Sequence, residues 1–181
     1  MSPIIPFDRS RGGARPAAPA GGGRLEKLFL FRLGARDLAT EAVKIVEVMI
    51  APKLATVAGA PAFVLGVANV RGNIIPVVDA HARLGEPRPD DGATQRMVVV
   101  KLAGDYVGFL VDGVDLRLTE GLIEAPPARK GSRGKGKLTV VEPTPAPRKA
   151  HIGEQTYPLF EPETLLTVDE LETLKRVRAT F

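Results

Sequence analysis

The residues best suited to chemistry are the two histidines, His81 and His151, and the acids near them. Asp79 precedes His81 by two positions and Asp112 lies in a later apolar segment, so these three could form a catalytic or metal-binding cluster. One histidine beside two acids is a weak signal, and His151 adjoins a segment rich in Pro, Lys and Arg. We therefore expect His81 to be a solvated surface side chain.

The chain lacks the common signatures of catalytic and cofactor sites. It has no cysteine, which excludes a disulfide framework, thiolate zinc sites and a cysteine nucleophile. It also has no Gly-x-Ser-x-Gly elbow, no phosphate-binding Gly-Lys-Ser/Thr loop and no dinucleotide fingerprint. The sequence therefore predicts a protein that is not an enzyme and that holds no metal and no cofactor.

Arg71 is the strongest candidate for a binding residue. It follows an apolar run and precedes Gly72 and Asn73, so its guanidinium should project from the end of a hairpin. Five donors in a fixed fork suit carboxylates or the carboxy termini of helices on a partner protein. An internal bridge, for instance to Asp79, is the alternative.

Nearby glycines and asparagines are best explained by backbone geometry. Gly72 and Asn73 tolerate a positive φ, and the side chain of Asn69 could cap the same turn. Gly66 and Gly113 are expected at bulges or at points where two backbones approach closely.

The elements that must position these residues are mostly strands. Alternating or β-branched runs predict an opening strand from Leu25 to Gly34, an extended segment at residues 41–50, and a last strand at residues 157–160. Residues 62–79 and 96–114 each read as a hairpin, the second turning at Gly104 and Asp105. Thr167 and Glu170 form a capping-box signal for a final helix. Its predicted apolar face comprises Val168, Leu171, Leu174 and Phe181.

Composition divides the chain into one domain with two unusual segments. Residues 1–23 lack periodicity and large apolar side chains and are predicted to be a disordered tail. Residues 24–181 are predicted to form a single, mainly β domain. A flexible basic insertion interrupts this domain at about residues 126–150, and within it only the run at 138–141 could form a strand. No segment approaches the length of a membrane span, and no signal peptide is evident, so we expect a soluble cytoplasmic protein with no membrane insertion.

Residues 1–24 carry a net charge of +3 and residues 125–150 one of +6, against +4 for the whole chain, which leaves the remaining residues at −5. A folded basic groove for nucleic acid is therefore unsupported, and nucleic acid is an unlikely partner. A nucleic-acid-binding barrel with a basic arm is nevertheless kept as the alternative function.

The stretch from Pro61 to Gly85 resembles the most recognisable segment of the CheW family of chemotaxis adaptors. The pattern shared with that family comprises Gly66, Val67, Asn69, Arg71, Gly72, Pro76, Val77 and Asp79, and a second shared run comprises Val111, Asp112, Gly113 and Val114. The chain departs from the family at Ala80 and His81, where an aliphatic residue and an arginine are usual.

This resemblance implies a fold of two intertwined five-stranded barrels around a shared core, with a short carboxy-terminal helix. It also implies a function without chemistry, in which the protein bridges the cytoplasmic tip of a chemoreceptor and the regulatory domain of a CheA-type histidine kinase at receptor arrays. Arg71 would lie in the receptor groove, and Ile45, Glu47 and Val48 would contact a receptor or kinase. Flagellar taxis, gliding, pili and gene expression all remain open as the pathway.

Overall fold

The computed structural model describes residues 23–88, 95–125 and 148–180. The described residues form ten strands and two α-helices, so the prediction of a mainly β fold is confirmed. The strands are β1 (Gly23–Leu33), β2 (Arg36–Glu41), β3 (Ile45–Ile50), β4 (Val64–Val70), β5 (Asn73–Val78), β6 (Arg96–Leu102), β7 (Asp105–Val111), β8 (Gly113–Glu124), β9 (Lys149–Ile152) and β10 (Gln155–Pro158). The helices are α1 (Ala80–Leu84) and α2 (Val168–Ala179).

The described strands form two five-stranded sheets, each nearly closed into a barrel. The first sheet has the order β10-β9-β8-β1-β2, and the second has the order β3-β6-β7-β5-β4. A parallel bridge between Ala39 and Leu159 closes the first sheet, and an antiparallel bridge between Ala55 and Val67 closes the second. The chain therefore begins in the first barrel, builds the second, and returns to complete the first, which confirms the predicted architecture.

Three clusters of buried side chains fill the two barrels and the space between them. One cluster lies in the first sheet around Leu28, Leu30 and Ile123, and another lies in the second sheet around Met97 and Val99. The largest cluster combines residues of both sheets with α2. Strand β1 serves two clusters, because Leu28 and Leu30 point into the first barrel while the alternate residues Phe31 and Leu33 point into the shared core.

Gly66 is required where the second barrel closes. Its φ is +145°, and a Cβ added there would lie 2.5 Å from the carbonyl oxygen of Ala55. Ala55 exchanges two backbone hydrogen bonds with Val67, so a side chain at position 66 would force the closing strands apart. Gly66 thus lies at the kind of close backbone approach that its sequence context predicts.

Helix α2 begins with the predicted capping box, in which Thr167 and Glu170 bond reciprocally. Its buried face differs from the predicted one. Leu174 and Val177 are buried, whereas Val168 is 76% exposed, because at 3.6 residues per turn it lies on the opposite side of α2 from Val177. The prediction for Val168 is therefore wrong, and Phe181 lies outside the described residues.

Two predicted segments fall mainly outside the described residues. These are the tail at residues 1–23, of which only Gly23 is described, and the insertion, of which residues 126–147, including the possible strand at 138–141, are not described. The far boundary of the insertion needs correction, since Lys149 already begins β9. Pairing with β8 and β10 orders this short strand.

Candidate protein-docking site

Strand β3 is an apolar strand that the fold leaves partly open. It lies at the end of the second sheet and pairs with β6 through Ile45, Glu47, Val48, Met49 and Ile50. None of its six residues is buried, although five are apolar. Ile45 and Val48 pack their inner sides against the shared core, so they contribute both to the fold and to the surface.

The exposed apolar surface of β3 extends beyond the residues named from the sequence. Val46 is 52% exposed and Ile50 is 59% exposed, and Val43 precedes the strand with 83% of its surface in solvent. A bulge between Ile45 and Glu47 interrupts the alternation of the strand. The residues named from the sequence came from family resemblance, and the pattern of a strand with five apolar residues in six does not show which of them are exposed, so Val46 and Ile50 were missed.

Arg71 lies in the two-residue turn between β4 and β5, beside this surface. Both Arg71 and Gly72 have positive φ, at +51° and +85°, as in the type I′ turns that suit tight hairpins. The Arg71 side chain is 79% exposed, and its Nη2 donates to Oε1 of Glu47 over 2.8 Å. The structure therefore brings together Arg71 and Glu47, two of the residues predicted to contact a partner.

Arg71 pairs with Glu47 and not with Asp79, the internal partner that the sequence offered as an alternative. Asp79 lies at the opposite end of β5, where its carboxylate caps α1 at the amide of Ala82 and pairs with Arg88. Among the described residues, Glu47 is the hydrogen-bond partner of the Arg71 guanidinium. The other donors of that guanidinium face solvent and are available to carboxylates or helix termini of a partner.

The other residues of the β4–β5 turn fix the backbone conformation that positions Arg71. Oδ1 of Asn69 accepts a hydrogen bond from the amide of Gly72 at 2.9 Å. Asn73 is the first residue of β5, and the two positive φ values of the turn belong to Arg71 and Gly72 and not to Asn73. Gly113 begins β8, and a Cβ added there meets no atom within 4 Å, so close approach of backbones does not explain this glycine.

His81 is buried, which contradicts the expected surface position. Only 2% of its side chain is exposed, because α1 packs against the link between β7 and β8. Its Nε2 lies 3.0 Å from both carboxylate oxygens of Asp112, and its Nδ1 lies 3.8 Å from Oδ1 of Asp79. The three residues do come together, yet no group of three or more His, Asp or Glu side chains in the described part of the chain is arranged to hold a metal ion.

His151 lies apart from this cluster, in β9 of the first sheet. Its Nε2 contacts Oε1 of Glu124 at 2.9 Å, and its Nδ1 contacts the hydroxyl of Thr156 at 3.0 Å. The two histidines therefore occupy separate sites with separate acidic neighbours.

The sequence of residues 27–139 matches the family described as the CheW-like domain. The chain belongs to this family. The CheW-like chain is 31% identical over 103 residues to a probable chemotaxis protein CheW of Rhizobium etli, a match that covers 56% of the chain and 66% of that relative. It is 25% identical over 154 residues to the chemotaxis protein CheW of Klebsiella aerogenes, with 84% of the chain and 88% of the relative covered.

A solved structure agrees with the CheW-like fold. The scaffolding protein TtCheW of Thermoanaerobacter tengcongensis superposes with a TM-score of 0.62 at 22% identity, covering 81% of this chain and 96% of that one. The two-sheet architecture is therefore shared with this solved scaffolding protein. In the described part of the CheW-like chain, neither helix has the length and apolar character needed to cross a membrane.

Proposed function

We propose that this chain is a non-enzymatic adaptor that couples a methyl-accepting chemoreceptor to a CheA-type histidine kinase. It would act in the cytoplasm, at receptor arrays, in chemotaxis or a related motility pathway. Membership of the CheW-like family supports the class of function. The observation that carries the proposal is the exposed Arg71, held by Glu47 beside the open apolar strand β3.

The receptor would dock across the turn of the β4–β5 hairpin and β3. Chemoreceptor tips are helical, and the free donors of Arg71 can bond to their carboxylates or to their terminal carbonyls. Ile45 and Val48 would add apolar contact at the edge of the shared core. Glu47 would keep the guanidinium in place, so that less side-chain entropy is lost on binding.

The alternative of a nucleic-acid-binding barrel receives less support from the described surface. Binding to single strands relies on several exposed aromatic rings that stack on bases. Among the described aromatic side chains Tyr106 is the exposed one, with 37% of its surface in solvent, and the ammonium of Lys101 lies 5.8 Å from its ring centre.

Separate binding measurements with each partner test the proposal. The purified chain is titrated with cytoplasmic receptor fragments and with kinase regulatory domains encoded in the same genome, and in parallel with an oligonucleotide at physiological salt. We expect saturable binding to one receptor and to one kinase. Binding to the oligonucleotide together with failure to bind any receptor or kinase would reverse the assignment.

Two variants assign the receptor surface within that experiment. Arg71→Glu should weaken receptor binding while the fold persists, because an interfacial attraction becomes repulsion. Ile45→Ala is the contrasting variant, since this half-buried side chain should affect both stability and binding. Unchanged receptor affinity in Arg71→Glu would remove Arg71 from the interface.

A further inference from the structure

The buried imidazole of His81 has one nitrogen without a hydrogen-bond partner. Nε2 faces the carboxylate of Asp112 at 3.0 Å, but Nδ1 is buried and makes no hydrogen bond. The nearest acidic atom to Nδ1 is Oδ1 of Asp79, at 3.8 Å. This gap is too long for a hydrogen bond but short enough for a small movement to close it.

The contacts of Nε2 determine which tautomer the neutral ring adopts. An ionised carboxylate only accepts hydrogen bonds, so Nε2 must carry the hydrogen that bonds to Asp112. In the neutral ring Nδ1 then carries a lone pair and no hydrogen, so it cannot donate to the carboxylate of Asp79. In the protonated ring Nδ1 also carries a hydrogen, and a charge-assisted hydrogen bond to that carboxylate forms once the gap closes.

Asp79 is the residue through which this change would reach the backbone. Its Oδ1 accepts from the amide of Ala82 at 3.2 Å, which caps α1, and its Oδ2 binds the guanidinium of Arg88. A carboxylate drawn towards His81 must lengthen at least one of these contacts. The first contact lies at the start of α1 and the second joins Asp79 to Arg88 beyond its end, so Ala82 and Arg88 are the positions at which the movement would be seen.

The other charged groups around the imidazole are fixed by their own partners. Asp112 also accepts from the amide of Gly34 at 2.6 Å, which ties the site to the β1–β2 turn. Glu86, whose amide donates to the carbonyl of His81, pairs with Arg36 at 2.5 Å. The remaining charged groups nearby are Arg32, which pairs with Asp37, and Arg83, which pairs with Glu170. Among the carboxylates around the ring, Asp79 is the one whose oxygen lies 3.8 Å from the unpartnered Nδ1.

We propose that His81 is a proton-operated switch for α1, in which protonation of Nδ1 draws the Asp79 carboxylate away from Arg88 and the Ala82 amide. The proton comes from solvent, and no other bond is formed or broken. Histidine is the side chain whose charge ordinarily changes closest to neutral pH. This switch lies away from the Arg71 surface and does not depend on the proposed function.

Backbone amide NMR across a pH titration tests the switch. Spectra of the full chain are recorded from about pH 8 to about pH 5.5, above the range in which carboxyl groups generally take up protons. We expect the Ala82 amide and the Arg88 side-chain resonances to shift together along a single-proton curve. His81→Gln should abolish the shift, because its amide can still donate to Asp112 but cannot be protonated.

His151→Gln is the matched control, since the chain has two histidines and His151 lies in the first sheet. The shift of Ala82 should persist unchanged in this variant. The proposal is overturned if the Ala82 and Arg88 resonances of the unmodified chain stay constant over the titration. It is equally overturned if His81→Gln retains the shift, because another group would then be responsible.

Discussion

Replacing Arg71 by asparagine should weaken receptor binding while leaving the stability of the fold almost unchanged. Loss of the ion pair with Glu47 costs about 0–1 kcal/mol, because such an exposed arginine is well screened by water. Arg71 has a φ of +51°. Asparagine is several-fold enriched in that conformation, which corresponds to a gain of roughly 1 kcal/mol. The two effects nearly cancel.

The expected magnitudes separate folding from binding. The free energy of unfolding should stay within about 1 kcal/mol of the unmodified chain, a change in Tm of at most about 4 °C for a domain of this size. A charged hydrogen bond to a partner contributes about 1.5–3 kcal/mol, so the Kd for the receptor should rise by about tenfold to a hundredfold. Thermal denaturation measures the first quantity and isothermal titration with a receptor fragment measures the second.

Arg117→Asn is the control for this prediction. Arg117 is also exposed and ion-paired, with Asp115, but it lies in β8 of the first sheet. Its replacement should leave receptor affinity unchanged. Equal Kd values for Arg71→Asn and the unmodified chain would refute the docking role of Arg71, and a loss of several kcal/mol in stability would refute the account of the turn.

Three further predictions concern the fold. Gly66→Ala should lower the free energy of unfolding by more than about 2 kcal/mol, through backbone strain and the clash where the second barrel closes. Gly113→Ala should change the free energy of unfolding by about 0.5 kcal/mol or less. Urea denaturation measures both variants, and equal losses would contradict the reasoning. Leu174→Ala should cost about 2–5 kcal/mol in the same assay, and a loss under about 1 kcal/mol would show that α2 is not packed on the shared core. The hydrogen bond from Arg117 lowers the pKa of Asp115 below its ordinary 3.8. Ionised Asp115 therefore stabilises the fold above that pH, and this stabilisation is lost as the pH falls through the lower pKa of the folded state. Arg117→Gln should move the NMR titration of the Asp115 carboxyl group back towards 3.8, and an unchanged titration would rule out this cause.

The strands that sequence predicts best are those whose signals are local. The β4–β5 hairpin combines dense apolar residues with Arg71-Gly72 at the turn, and the structure closes it there. The β6–β7 hairpin is also present, but it turns at Ala103 and Gly104, one residue before the predicted Gly104 and Asp105, because Asp105 already begins β7. In both cases a few adjacent residues determine both the strand and its end.

The features that sequence missed depend on contacts between distant segments. His81 is buried because Asp112 meets it from the link between β7 and β8. The position of β9 depends on pairing with β8 across the insertion, and residues 149–152 have little strand propensity of their own. Val177, not Val168, lies in the core because the surface on which α2 packs decides which face is buried.

The candidate site was also predictable only in part. The turn sequence indicated that Arg71 would project from a hairpin, and Ile45, Glu47 and Val48 were named through family resemblance. The contact between Arg71 and Glu47 required knowledge of how the second barrel closes, since Glu47 lies in β3 and Arg71 follows β4, and these two strands stand at opposite ends of the sheet order. Whether the four residues contact a receptor or a kinase stays a prediction.

Co-sedimentation of the kinase with receptor-bearing membranes tests the adaptor function most directly. A cognate CheA-type kinase is mixed with vesicles that carry the receptor, with and without this chain, and the kinase in the pellet is measured. The account predicts that the chain raises the pelleted kinase to a saturating level and that Arg71→Glu abolishes the increase. Equal amounts of pelleted kinase with and without the chain would contradict the claim that this protein couples receptor to kinase.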